Sequence, residues 1–491
     1  MKNDVVMYEK VYNILKNKIQ CGILEGGSKL PSRAKLCIEF NTSEKTVRRA
    51  LKMLEQDGLV ETSKRKRPVV AMNRDLGRRA GLMSLKKADA TAAVDILKSG
   101  ILLSYPINGK GMALCSGTDW DIPQAIADRM DPDEPTEFWR LSNRFWRFFI
   151  SRNSNELILR AVDSLGFSNL DILPGTREIR CRYKEKLNEL IETVKNGGSP
   201  DEVEFGDLFV LYGLSPGEGE QKVIRRVMSE MPLWEGADGM EEKLRRGQER
   251  YSSVYLDILG LINLGYYQPG DRLPSHEELQ KFYGVSIDTT IKAIQVLQEW
   301  GAVTAKRGHG IYVDMDLDGL KKIHIAPEQI ASHVRRWLDS LELISLTVES
   351  VASHGAARAT REEALQLREE LEKEWNDTYL YQMSPYTMLD FIVDHIEYEV
   401  LRAVYDIMRQ NYHIGRSIPK MIRREKAPVS GDIYRRCLDA ADSLIEGDAT
   451  AFARKASEMF QLTHGIIVEQ CKRLGYWEAA MKVYDGDALW K

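Results

Sequence analysis

Apolar residues recur at Val11, Ile14, Leu15 and Ile19, a spacing of three and four that predicts an amphipathic helix. Gly22, Gly26 and Gly27 interrupt it, and Pro31-Ser32 opens a second helix with Ser32 as its N-cap. Asn41-Thr42-Ser43 reads as a short turn, with Ser43 capping a third helix. That helix turns Val47, Ala50, Leu51 and Leu54 inward, and Lys45, Arg48, Arg49 and Lys52 outward. Beyond Gly58, two short apolar segments, Leu59-Val60-Glu61-Thr62 and Pro68-Val69-Val70, flank Lys64-Arg65-Lys66-Arg67. They predict a β-hairpin with a basic tip.

The same pattern returns 243 residues later. Leu30-Pro31-Ser32 aligns with Leu273-Pro274-Ser275, Gly27 with Gly270, Ser43 with Ser286, Thr46 with Thr289, Leu54 with Leu297 and Gly58 with Gly301. In the second copy Ser275 and Glu278 form a capping-box pair. Its third helix offers Asp288, Thr289, Thr290 and Lys292 outward, with Ile291 where the first copy has Arg48. Val303-Thr304-Ala305 and Ile311-Tyr312-Val313 flank a second tip, Lys306-Arg307-Gly308-His309-Gly310. Each copy is followed by helical periodicity and few strand-like alternations. Ile330, Val334, Trp337, Leu341, Ile344, Val348 and Val351 mark one long amphipathic helix, and Ala456, Phe460, Ile467, Cys471 and Leu474 another. Glu156–Val162 resembles Glu399–Val404 once one deletion is allowed, so the whole half reads as duplicated. The expected fold is mainly α, with two winged helix-turn-helix domains, each with a small β-wing and each followed by an all-helical bundle. The expected domains are 1–75, 76–243, 244–316 and 317–491, with the halves joined near Glu241–Gly247.

Composition narrows the class. The 491 residues, 43% hydrophobic and 29% charged, suit a globular chain of several domains. No stretch approaches the roughly 18 apolar residues of a membrane span, and the first ten residues show no secretion signal. The six cysteines are scattered without a C-x-x-C pair, which points to a reducing cytoplasm. There is no Gly-x-Ser-x-Gly, no phosphate-binding Walker loop and no His-Glu-x-x-His, so an enzyme is not expected. The net charge of −4 names no nucleic-acid partner, but its distribution does. Residues 1–75 hold 16 Lys+Arg against 9 Asp+Glu, whereas residues 251–315 hold 5 against 7.

Three helices and a hairpin, with a short turn before the third helix, place that helix in the major groove of double-stranded DNA and the hairpin tip near the backbone. The candidate DNA contacts in the first copy are Ser32, Arg33, Ser43, Lys45, Thr46, Arg48, Arg49, Lys52, Lys64, Arg65, Lys66 and Arg67. In the second copy they are Ser275, Ser286, Thr289, Thr290, Lys292, Lys306, Arg307 and His309. The more acidic second copy leaves open whether it reads DNA at all.

The motifs Leu30-Pro31-Ser32, Ser43-x-x-Thr46-Val47-Arg48-x-Ala50-Leu51 and Gly58-Leu59-Val60 resemble the GntR family of bacterial transcription regulators. So do Leu273-Pro274-Ser275 and Gly308-His309-Gly310-Ile311-Tyr312-Val313. Departures include Ala34 and Glu277 at a family arginine position, and a first wing that has lost its glycines. The regions around Phe145-Trp146 and Leu438-Asp439-Ala440 resemble the helical effector domain of the FadR-type branch. This implies a small-molecule effector in a helical bundle, where Trp139, Trp146, Trp337, Tyr386 and Tyr412 line a pocket or simply pack the core. Many relatives bind a metal there, but the matching positions hold Ser142 and Trp146, and the first half has no histidine. His395, His413 and His464 remain open as a group, yet no metal and no cofactor is expected. The resemblance implies a sequence-specific regulator, working as a single-chain pseudo-dimer or as a homodimer. The alternative is a sensor or protein-docking module that keeps the fold without binding DNA.

Overall fold

The computed structural model describes residues 7–20, 24, 27–40, 42–63, 66–71, 90–164, 177–199, 202–203, 250–263, 265–306, 308–315, 319, 323, 325–377, 380–418, 421 and 426–484. The joints expected near 75, 243 and 316 lie outside the described residues. The chain divides into two compact units, one built on Met7–Leu244 and the other on Arg245–Glu397 and Arg402–Tyr484.

The first unit begins with α1 (Met7–Gln20), α2 (Arg33–Glu39) and α3 (Glu44–Gln56). Val11, Tyr12 and Leu15 of α1 meet Leu36 of α2 and Val47, Ala50, Leu51 and Leu54 of α3 in one core, closed by Val60 and Val70 from the wing. Tyr12 is buried, while Ile14 and Ile19 are only half-buried. The wing is a minimal antiparallel pair, β1 (Val60–Glu61) and β2 (Val69–Val70), with Val60 opposite Val70. An isolated bridge ties Lys29 to Val69.

A helical set follows: α4 (Ala90–Ala113), a short 3-10 turn (Gly117–Trp120), α5 (Asp121–Asp128), α6 (Pro135–Arg152), α7 (Glu156–Ser164) and α8 (Arg177–Lys195). Its core is aromatic, with Trp120, Phe138, Trp139, Phe145, Phe148, Phe149 and Tyr183 packed together. Rings with few rotatable bonds bury much area at small entropic cost. Gly111 lets α4 close on α6, since a Cβ there would sit 2.0 Å from the Phe149 carbonyl oxygen.

The second unit repeats the module with α9 (Arg250–Asn263), β3 (Arg272–Leu273), α10 (His276–Tyr283), α11 (Ile287–Glu299), β4 (Val303–Lys306) and β5 (Gly310–Val313). The sheet has three strands in the order β3-β5-β4, one strand more than the hairpin pattern predicts. The bundle comprises α12 (Pro327–Ala356), α13 (Arg361–Asn376), α14 (Ser384–Asp394), α15 (Glu399–Tyr412), α16 (Ile414–Ser417), α17 (Pro428–Ile445), α18 (Ala449–Arg473) and α19 (Tyr476–Met481). Here module and bundle share one core, running from Val254, Leu297 and Val313 through Val334 and Trp337 to Cys471 and Tyr476. The short α16 presses on α9: Asn263 donates from Nδ2 to the Arg416 carbonyl at 3.2 Å, and a Cβ on Gly260 would meet Ser417 Oγ at 2.9 Å.

Candidate nucleic-acid interface

In the first module the two serines act as helix caps. Ser32 Oγ accepts from the Lys35 backbone N–H, and Ser43 Oγ from that of Thr46, each at 3.2 Å. Each cap satisfies a backbone donor at a helix start, so both helices begin at defined points of the exposed face. Arg33, Lys45, Arg48, Arg49 and Lys52 stand exposed, and Thr46 is half-buried. Arg48 Nη2 pairs with Glu44 Oε1 at 3.1 Å, and the two side chains remain 67% and 59% exposed. The Arg49 guanidinium lies 3.7 Å from the Tyr8 ring centroid, which joins α3 to α1. Lys66 is exposed. Arg67 is committed elsewhere: its Nε and Nη2 donate to the Leu30 carbonyl at 2.9 and 2.7 Å, fastening the wing to the loop before α2. Lys64 and Arg65 lie outside the described residues.

The second module keeps the caps and changes the face. Ser275 Oγ accepts from the Glu278 N–H at 3.3 Å, and Glu278 accepts the Ser275 N–H at 2.7 Å. That backbone N–H holds the Glu278 carboxyl below its ordinary range. Ser286 Oγ caps α11 by accepting from the Thr289 N–H at 3.3 Å. Thr290 corrects the sequence reading, because its side chain is buried rather than outward. It donates to the Ile287 carbonyl at 2.8 Å and lies 3.0 Å from His276 Nδ1. Its position matches Val47, which is likewise buried, so it is unavailable to DNA. Thr289 is half-buried, and Lys292, Lys306 and His309 are exposed. Lys306 leans on the Tyr312 ring, whose hydroxyl donates to the His309 carbonyl at 3.0 Å. Arg307 lies outside the described residues.

The wing roots carry complementary exchanges. The first copy has Arg67 where the second has Gly310, and Lys29 where the second has Arg272. Gly310 takes φ +118°, and a Cβ there would meet Arg272 Nε at 2.7 Å. An arginine side chain thus lies at each root, Arg67 bonded to the Leu30 carbonyl in the first copy and Arg272 beside Gly310 in the second. Sequence reasoning passed over Phe282, which is 77% exposed, while Ile287 and Ile291, counterparts of Glu44 and Arg48, are 41% and 36% exposed. Only pairing them with Glu39, Glu44 and Arg48 of the first copy reveals the change of chemistry.

In the helical regions, Tyr183 joins the positions aligned with metal ligands. Its hydroxyl lies 2.5 Å from Ser142 Oγ and accepts from Trp146 Nε1 at 2.7 Å. Trp139 packs in that aromatic core, and Trp337 is buried with its ring facing Gly415. Tyr386 contacts Tyr412 and His413, with ring centroids at 6.1 and 4.3 Å. His395 Nε2 lies 3.5 Å from Glu363 Oε2. Among the described residues no group of three or more His, Cys, Asp or Glu is placed to hold a metal ion, so His395, His413 and His464 form no such group. Also among the described residues, no helix is long and apolar enough to cross a membrane. Arg416 is largely buried, with Met383 Sδ at 3.5 Å from its Nη1, and burial lowers its tendency to hold a proton.

The family model described as "Bacterial regulatory proteins, gntR family" matches residues 7–70 and again residues 250–313. The Uxu operon transcriptional regulator of Escherichia coli is 30% identical over 127 residues, covering 26% of this chain and 49% of that protein. The Uxu operon regulator of Haemophilus influenzae is 27% identical over 113 residues, covering 23% and 41%. The chain therefore spans less than half the length of these relatives. Among solved structures, Streptococcus agalactiae GntR aligns at 16% identity with a TM-score of 0.23, covering 44% of this chain and 99% of that one. Two matches to one model, on two modules that share the same caps and helical core, identify the GntR-type module twice in this chain, at residues 7–70 and 250–313.

Proposed function

We propose that this GntR-family regulator binds double-stranded DNA with its first module as the principal reader. The observation that carries the reading is the exposed face of α3, where Lys45, Arg48, Arg49 and Lys52 stand together beyond the Ser43 cap. A third helix so charged fits the major groove, its cations reaching phosphates or guanine edges. The sequence reading of a single-chain pseudo-dimer asks α11 to do the same. That helix offers Lys292 as its sole cation, beside Asp288 and two exposed isoleucines. The two heads are therefore unequal, and contacts from the second come chiefly from Lys306 and His309 on its wing. The domain division at 75, 243 and 316 belongs to this reading.

Control by a small effector enters through the second bundle. Because module and bundle share a core there, and α16 grips α9, a ligand that moves α16 biases the position of the second module. The competing class is a docking or sensor protein. Salt-dependent retention of the full chain on immobilised duplex DNA separates the two. Retention at low salt with elution as salt rises supports the regulator reading, and flow-through at low salt removes it.

A further inference from the structure

We propose that the exposed face of α10 and α11 in the second module docks against the same face of a second copy of this chain. The duplication supplies the internal comparison. Where the first module places Glu44 and Arg48 in solvent, the second places Ile287 and Ile291, at 41% and 36% exposure, and Phe282, 77% exposed, takes the position that is Glu39 in the first copy. Ile287 and Ile291 are four residues apart on one helix and so share a face. Phe282 sits at the end of α10, immediately before the turn at Gly284. All three exchanges run from charged to apolar, and all three apolar side chains are exposed, which marks an interaction surface rather than a core.

The charges beside this stripe select the occupant. The first module has Lys45, Arg48, Arg49 and Lys52 on α3, all of one sign, and two such faces repel. At the same four positions the second has Asp288, Ile291, Lys292 and Gln295. Asp288 and Lys292 are exposed and one helical turn apart, flanking the isoleucines. When two α11 helices cross antiparallel about a two-fold axis near Thr289 and Thr290, Asp288 of each faces Lys292 of the other. Ile287 of each then faces Ile291 of the other. A face that matches itself in both apolar stripe and charge order is what an isologous dimer requires. The argument rests on the second module alone and holds whether or not the first module binds DNA.

The test is sedimentation of the full chain across a range of concentrations, with binding to a duplex measured on the same samples. The wild type is expected to show a reversible monomer–dimer equilibrium. Phe282→Glu with Ile291→Arg, which restores the first copy's residues at two exposed sites, is expected to weaken dimerisation by about tenfold or more. Asp288→Lys alone should weaken it, and adding Lys292→Asp should restore it, because the swapped pair is again self-complementary. A chain that stays monomeric throughout overturns the proposal. So does a dimer indifferent to these changes. Loss of duplex binding in the Phe282→Glu, Ile291→Arg variant with self-association unchanged would assign the face to DNA instead.

Discussion

Replacing Lys45, Arg48 and Lys52 together by alanine tests the DNA reading where it is most quantitative. All three side chains stand in solvent on α3 and none belongs to the core of the module. Alanine has a helix propensity at least equal to theirs, so the fold should hold and the melting temperature should change little. Among the described residues the partner involved is Glu44, and an ion pair as exposed as Glu44–Arg48 contributes at most about 0.5 kcal/mol, so Arg48 can exchange it for a phosphate. Each phosphate contact adds about 0.9 to the slope of log affinity against log salt. Three lost contacts therefore flatten the slope by about 2.7. Between roughly 50 and 200 mM salt, each contact accounts for about a 3.5-fold loss of affinity and the three together for about 40-fold. Fluorescence anisotropy of a labelled duplex titrated with the full chain at several salt concentrations reads this directly. Arg49 is left in place because it also stacks on Tyr8, and its removal would mix a loosened α1–α3 contact into the result. A triple variant with the wild-type slope would refute α3 as the DNA-contacting helix.

Three further outcomes follow from other parts of the molecule. Arg67→Ala removes both hydrogen bonds from the wing to the Leu30 carbonyl and should cost about 1 kcal/mol in thermal denaturation, the exposed charge being discounted for screening. An unchanged melting curve would show that this link does not hold the wing. Glu374 is pushed up to about 7 by burial, with help from Glu370 and Asp390 and against the Thr387 hydroxyl that donates to it. Its folded value lies above the ordinary 4.5, so the folded state binds the extra proton, and stability falls as pH rises from about 4.5 through 7. Glu374→Gln should therefore raise stability at pH 8 by about 1–2 kcal/mol and leave it unchanged near pH 4, and equal gains at both would exclude the titration. Gly415→Ala places a Cβ 2.2 Å from the Trp337 ring and should destabilise by about 1–3 kcal/mol, measured by chemical denaturation; a neutral result would mean that α16 shifts freely against α12.

Much of the module was legible because its signals are local. Ser32, Ser43, Ser275 and Ser286 cap helices through donors only three residues away, and the inward set of α3 follows from helical spacing. Features that depend on distant partners were not. Arg67 lies in a basic run that reads as one solvated tip, and its carbonyl partner is 37 residues earlier. The strand β3 is two residues long, too short for a period to show, and exists only because β5 pairs with it. Thr290 was placed outward because threonine suits a polar face, although its alignment with Val47 already pointed inward. The apolar exchanges at Phe282 and Ile287 are invisible in either copy alone: pairing the copies shows the change of residue, and the structure adds that both apolar side chains are exposed.

The central claim is that the first copy keeps the reading face and the second has given it up. Selection of binding sites from a random duplex library tests it most directly, using the full chain, an Arg48→Ile variant that imitates the second copy, and an Ile291→Arg variant that imitates the first. The account predicts that the wild type and the Ile291→Arg variant enrich the same sequence, while the Arg48→Ile variant loses or alters it. Enrichment that survives Arg48→Ile but is abolished by Ile291→Arg would contradict the account.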